Sequence, residues 1–265
     1  MRDRVFISRA DDLGSSHSAN RAIAMVADAG FIRNVSIMAC GPAVEAAAKM
    51  LATRKDICFG MHTTLNAEWD LVKWKPIQPL TEASGLVDPR GSFLPDPSLF
   101  LTSKPAVETI MSEVSAQLER LHHLGFDIRY VDTHMFPEMF VEGLDQAMED
   151  FCKQKGLLDH MYFYNLPPEL PDWTKGCDAL PHTPSGQYFW VIHPSLDTEE
   201  MHMTGNSTYS GIVVAAARAG ETAIFSNTAL CHSFREGGIR GIRYDEATFD
   251  RRLTVEDMKQ IISAL

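Results

Sequence analysis

Four short apolar runs in this chain each stop at an acid or an imidazole. The first, Val5-Phe6-Ile7-Ser8-Arg9-Ala10, runs into Asp11-Asp12-Leu13-Gly14. The second, Ile57 to Met61, meets His62. The third, Ile128 to Val131, meets Asp132-Thr133-His134. The fourth, Tyr188 to Ile192, meets His193-Pro194. Apolar, partly β-branched runs of this length read as buried strands. Strands that all end in ionisable groups point to one site at the carboxyl edge of a parallel sheet. Two adjacent carboxylates at one tip repel each other unless a proton or a cation lies between them.

The intervening stretches supply the helices that such a sheet needs. Ser15 to Ser18 offer capping hydroxyls, and Ala19 to Ala29 reads as a helix with Ala22, Ile23, Val26 and Ala27 on one face. Gly30 stops it. Asn34 to Cys40 is a second strand, followed by Gly41-Pro42 and an alanine-rich helix to Arg54. The order strand, helix, strand, helix, strand implies right-handed parallel crossovers. From Asn66 to Lys104 the pattern breaks into a proline- and glycine-dense stretch carrying Trp69, Trp74, Phe93 and Phe100. A structureless stretch of this length reads as a functional insertion after the third strand. Its aromatic residues either stack on sugar faces or form the loop's own small core.

Pro105 to Gly125 brackets a helix with Ile110, Val114, Leu118 and Leu121 on its buried stripe. Glu138 to Lys155 reads as a further helix and Met161 to Tyr164 as a short strand. Leu166 to Pro184 is a proline-rich loop. Beyond Pro194 the expected elements are helices over Thr198–Met203 and Ile212–Ala219, a strand over Thr222–Phe225, and a terminal helix over Thr254–Leu265. No repeat or boundary interrupts the chain, so one domain is expected over 1–265. A TIM-like (β/α) barrel typically uses about 250 residues.

Composition narrows the function classes. A 45% hydrophobic content builds a full core, and a net charge of -11 argues against nucleic-acid partners and anionic membrane surfaces. No apolar stretch approaches the roughly 20 residues of a membrane span. The cysteines (Cys40, Cys58, Cys152, Cys177 and Cys231) are odd in number and contain no CxxC pair, which fits a reducing cytoplasm. The chain enters its first strand within a few residues, so no signal peptide is expected.

Asp12, His62 and His134 form a metal-ligand set. One carboxylate and two imidazoles suit zinc, manganese or cobalt, whereas magnesium prefers more oxygen ligands. Asp11 lies beside Asp12 and is the candidate general base. His193 is the candidate proton donor to a leaving group, with His232 in Leu230-Cys231-His232-Ser233 as its competitor. Asp132 can orient an imidazole or contact substrate. The bland alternatives are that Asp11 and Asp12 cap the next helix and that each histidine is a structural strand-end residue. His17, His122, His123, His160, His182 and His202 read as surface or loop residues. The combination describes metal-assisted hydrolysis of an amide or ester.

The same residues resemble the YdjC-like carbohydrate deacetylases. Ala10-Asp11-Asp12-Leu13-Gly14 with Asn20-Arg21-Ala22-Ile23 is similar to the family's opening motif. Gly60-Met61-His62-Thr63-Thr64-Leu65-Asn66 is similar to its second, Val131-Asp132-Thr133-His134 to its third, and Trp190-Val191-Ile192-His193-Pro194 to its late histidine-proline motif. The resemblance implies a distorted (β/α) barrel and one divalent ion, usually magnesium, on Asp12, His62 and His134, with Asp11 as base. It implies removal of acetyl groups from small N-acetylated sugars or chitooligosaccharides, sometimes phosphorylated. Among the insertion's aromatics, Trp69 and Trp74 are the candidate sugar contacts. A homodimer is the oligomeric expectation. The rival readings are a metal-dependent phosphoesterase or sugar isomerase on the same barrel, and a non-catalytic sugar-binding protein.

Overall fold

Seven parallel strands make one sheet in the structure, a computed structural model that describes residues 4–169 and 180–264. In chain order they are β1 (Arg4–Leu13), β2 (Asn34–Ile37), β3 (Cys58–Thr63), β4 (Ile128–Thr133), β5 (Leu158–Asp159), β6 (Gly186–Ile192) and β7 (Ile239–Ile242). Their spatial order is β5-β4-β3-β2-β1-β6, with β7 also paired to β1. The helices are α1 (His17–Ala29), α2 (Val44–Leu51), α3 (Phe100–Ser103), α4 (Val107–His123), α5 (Leu144–Lys155), α6 (Glu199–His202), α7 (Gly211–Phe225), α8 (Thr228–Glu236) and α9 (Val255–Ala264). The α/β barrel expectation holds as a half-barrel of parallel strands. The insertion after β3 is present, and no described helix is long and apolar enough to cross a membrane. Cys177 and part of the Leu166–Pro184 loop lie outside the described residues.

β1 is the axis of the sheet because it is paired along both sides. β6 follows it from Arg4 to Ala10. On the other side, β7 pairs with Arg4 to Ile7 and β2 with Arg9 to Leu13. Asn34 fills the fork between them. Its Nδ2 donates to Ser8 O at 3.0 Å and to Ile242 O at 2.8 Å, and its Oδ1 accepts from Tyr244 N at 2.8 Å. A strand side chain thus supplies bonds that the split sheet cannot make for itself.

The helix α1 has the expected face and stop, with Gly30 at φ 83, and its cap is Ser16, whose Oγ accepts from Ala19 N. The insertion's aromatics pack into the main apolar cluster, where Trp69, Trp74, Phe93 and Phe100 are all buried, and Trp69 also lines the cavity at the strand ends. Glu113 of α4 ties that insertion down by accepting from Ile77 N and Gln78 N at 2.9 and 2.8 Å.

Several expected boundaries are corrected. β2 ends at Ile37 rather than Cys40, because Met38 N turns to Leu13 O and Gly41 N closes a turn on Met38 O. The helix expected from Glu138 starts at Leu144, since Gly143 at φ 82 separates it from a 3₁₀ turn at Pro137–Met139. The strand expected over Met161–Tyr164 is a 3₁₀ turn over His160–Tyr162, capped by Asp159 Oδ1 on Met161 N. The strand expected over Thr222–Phe225 is the last turn of α7. There Thr222 Oγ1 bonds back to Arg218 O at 2.9 Å, which lets a β-branched residue sit in the helix. β7 and α8 carried too little pattern to be read in advance.

Replacing the fork residue tests this account of the split sheet. Asn34→Ala leaves two buried carbonyls and one buried N–H without their partner, and is expected to lower unfolding free energy by about 3 kcal/mol. Guanidinium titration reads the change; a loss below about 1 kcal/mol would contradict the role assigned to Asn34.

Candidate functional site

Consecutive strand residues point to opposite faces of a sheet, so Asp11 and Asp12 should diverge. They do not, because β1 bulges there. Ala10 pairs with Val35 and Leu13 with Ile37, which leaves one extra residue on β1. Asp12 takes up the bulge at φ 68, a left-handed conformation that aspartate tolerates better than most residues. The following turn is pinned by Asn20, which accepts from Gly14 N at 2.8 Å and donates to Ala43 O at 2.9 Å. Both carboxylates then line one cavity of about 380 Å³ at the carboxyl ends of the strands.

The two imidazoles come from neighbouring strands. His62 pairs with Asp132 in the β3–β4 register, and His134, two residues beyond Asp132, lies on the same face. His134 N donates to Thr63 O at 2.9 Å, and the chain then leaves through Met135 and Phe136, both at positive φ. The facing atoms are Asp12 Oδ1, His62 Nε2 and His134 Nδ1. Oδ1 is 3.6 Å from His62 Nε2 and 3.8 Å from His134 Nδ1, and the two nitrogens are 3.1 Å apart.

The outer nitrogen of each ring is held by a carboxylate. His62 Nδ1 is 2.8 Å from Asp132 Oδ2, and His134 Nε2 is 3.0 Å from Glu68 Oε2. When each ring donates its proton outward, both inner nitrogens present lone pairs to each other. Asp12 Oδ1 is buried, and no described donor hydrogen-bonds to it. Three acceptors then converge, a set that a cation satisfies directly and that metal-free protein satisfies with a proton on His62. A point equidistant from atoms so spaced is about 2 Å from each, the length of a bond from zinc to imidazole or carboxylate. Carboxylates on the outer ring nitrogens are the usual second support of metal-binding histidines. The residues fit a divalent ion.

Two arginines complete the charge balance. Arg9 Nε and Nη2 contact the two oxygens of Asp11 at 2.7 and 2.8 Å, and Arg9 Nη1 reaches Asp132 Oδ2 at 3.0 Å. Arg218, from α7, contacts Asp12 Oδ2 at 2.7 Å. Burial raises the Asp12 pKa, but Arg218, then His193, His134 and His62, outweigh it and hold Asp12 well below the usual carboxylate range. Asp132 is held low in the same way, burial being overcome by Arg9 and His62.

The other predicted residues fall in distinct places. His193 follows β6, lines the cavity, and is anchored by its backbone N on Glu221 Oε2 at 2.6 Å. His232, its competitor, lies on α8 with its side chain 68% exposed and paired to Glu236, and is not among the residues lining the cavity. Trp69 lines the cavity. Trp74 is buried with its ring edge-on to His134, centroids 5.5 Å apart. Asp132 is fully buried behind His62. His160, read from the sequence as a surface or loop residue, is instead buried. It stacks on Phe136, and burial pushes its pKa down to about 4, so it stays neutral. Sequence reading missed Arg9, Glu68 and Arg218, and also Asn206 and Tyr209 on the cavity wall.

His62 gives this electrostatic account a measurable handle in metal-free protein. Burial disfavours its imidazolium, but Asp132 and Asp11 prevail and raise its pKa to about 9. A raised histidine pKa stabilises the fold fully below about pH 6.5, and that contribution fades as pH climbs through the folded value. Asp132→Asn is expected to bring the His62 NMR titration midpoint down toward 6.5. A midpoint that stays near 9 in the variant contradicts Asp132 as the cause.

Comparison with known proteins follows the same residues. A family model described as YdjC-like protein matches residues 5–176. A carbohydrate deacetylase of Thermoanaerobacter pseudethanolicus is 27% identical over 164 residues, 62% of this chain and 59% of that protein. A carbohydrate deacetylase of Mus musculus is 32% identical over 165 residues, 60% of this chain and 49% of that protein. The chain thus spans about half to three-fifths of the length of the curated relatives it matches. A crystal structure assigned to cellobiose-phosphate cleavage in Enterococcus faecalis superposes with a TM-score of 0.70 at 16% identity. It covers 92% of this chain and 98% of that one, a likeness of fold. The family match takes in more than half of the sequence, with β2 to β5 and all but the first residue of β1, and the chain belongs to the YdjC-like family.

Proposed function

We propose that this protein is a metal-dependent carbohydrate deacetylase that hydrolyses the acetamide of N-acetylated sugars or chitooligosaccharides. The observation that carries the reading is the pair of imidazoles whose outer nitrogens rest on Asp132 and Glu68 while their inner nitrogens face Asp12 Oδ1. The names of the relatives supply the substrate class. Asp12, His62 and His134 would hold the ion, and their donor set favours zinc, manganese or cobalt over magnesium. A divalent ion there supplies carbonyl polarisation and a more acidic water.

The protein's own groups do the rest. Asp11, held by Arg9, faces the cavity, where it takes the proton of the attacking water. The C–O bond to that water forms first at the acetyl carbon, and the C–N bond breaks once the nitrogen has gained a proton, leaving acetate and a free amine. His193, at the end of the neighbouring strand β6, gives its proton to the departing amine nitrogen. Arg218 keeps Asp12 ionised and fixed, and Trp69 offers an apolar wall for a sugar face. The four described cysteines are free and buried, which suits a cytoplasmic role in carbohydrate catabolism.

Acetate release from N-acetylglucosamine oligomers by metal-loaded protein is the expected activity. Asp11→Asn is expected to lower turnover at least a hundredfold while retaining the metal. Near-normal turnover in that variant would remove Asp11 as the base. Failure to release acetate across a panel of N-acetylated sugars would remove the deacetylase reading itself.

A further inference from the structure

Next to the Asp12, His62 and His134 group lies a second cluster, formed by Asp11, His62 and Asp132. Their ligand atoms also lie within 4.8 Å of one another, and all three residues are buried. The two clusters share His62. His62 turns Nε2 to the first cluster and Nδ1, 2.8 Å from Asp132 Oδ2, to the second, which leaves the second cluster as a separate cluster of anionic and acceptor groups on the far side of the ring that calls for a positive charge.

Here a side chain already fills it. Arg9 contacts both oxygens of Asp11 through Nε and Nη2 and reaches Asp132 Oδ2 through Nη1. Its side chain is 4% exposed. Its guanidinium carbon stands 4.9 Å from the Phe189 ring centroid, and Nη1 also donates to Tyr244 Oη at 3.2 Å. The charge is permanent, because guanidinium does not deprotonate in proteins, and its planar fork matches a carboxylate in a way a hydrated ion does not. Every contact is with a β-strand side chain or a core aromatic, so the group has little freedom to withdraw.

We infer that the Arg9 guanidinium is a built-in cation standing in the place of a second metal ion. It limits the site to one ion and fixes Asp11 directly and His62 through Asp132. This rests on the proposed metal site at Asp12, His62 and His134. Arg9 is a positioning residue, and its charge also sets the chemistry apart from two-ion phosphoester hydrolysis on a similar barrel.

Metal stoichiometry tests the inference without relying on turnover. The full-length protein and its variants are equilibrated with excess manganese or zinc, freed of unbound ion by gel filtration, and measured by plasma mass spectrometry. Wild type is expected to hold one ion per chain and Arg9→Ala two, with acetate release by the variant at least tenfold lower. Arg9→Lys, which keeps a cation but loses the fork, is expected to hold one ion. Added guanidinium ion is expected to raise Arg9→Ala activity several-fold and to displace the second ion. Two ions in wild type would overturn the inference and leave the first metal site standing. No ion in wild type would overturn the metal reading and this inference together. If Arg9→Ala retains its first ion, showing that the site is formed, yet takes up no second ion and gains nothing from guanidinium, Arg9 is not a cation substitute. Should Arg9→Ala fail to fold, the wild-type and Arg9→Lys counts still decide, since two ions in either contradict the claim.

Discussion

Two imidazole nitrogens 3.1 Å apart, with a carboxylate oxygen behind them, are the constraint on which the rest of this structure depends. Three acceptors in a buried space repel one another, and desolvation magnifies that repulsion. The fold supplies the compensation in layers. Asp132 and Glu68 fix the rings from outside, Arg218 neutralises the far oxygen of Asp12, and Arg9 joins Asp11 to Asp132. The interaction is therefore a closed network, in which Arg9 and Asp11 pair within β1 and the other links join different parts of the chain.

The sheet explains why those elements meet. Parallel strands send all their carboxyl ends to one edge, so residues far apart in sequence become neighbours without any long loop. β1 carries the most because it is paired on both sides, and Asn34 lets three strands share its length. The bulge at Asp12 is a local departure with a clear use. It turns two adjacent acids to the same side, at a cost of order 1 kcal/mol for a left-handed residue. A regular strand would have sent one of them into the helical layer.

The parts of the site that sit on strands were legible in the sequence, because an apolar run ending in Asp or His is a sharp contrast. Asp11, Asp12, His62, His134 and His193 all carry that mark, and all line the cavity. Glu68 and Arg218 do not. Glu68 lies in an insertion without periodicity, and Arg218 is one arginine on a helix about two hundred positions from Asp12. Arg9 had a readable signal that went unused: a charged residue inside an otherwise apolar strand must be paired. His160 was misread for the opposite reason. The short β5 and the Asp159-capped turn bury it, and neither leaves a strong pattern in the sequence.

The wall of the cavity adds a second lesson about the segment after β6. Asn206, Tyr209 and Arg218 all come from it, so the part of the chain with the weakest sequence signal contributes to the cavity wall beside the insertion and the strand ends. The sheet fixes the metal-facing groups, whereas connecting segments build part of the wall around them, a common arrangement in α/β proteins.

Anomalous diffraction at the manganese edge, on crystals grown with that ion, addresses the central claim most directly. The account predicts one strong peak within bonding distance of Asp12, His62 and His134 together, with Asp132 and Glu68 still on the outer ring nitrogens. A peak elsewhere, or the two imidazoles turned away from Asp12 in the presence of abundant ion, would contradict it.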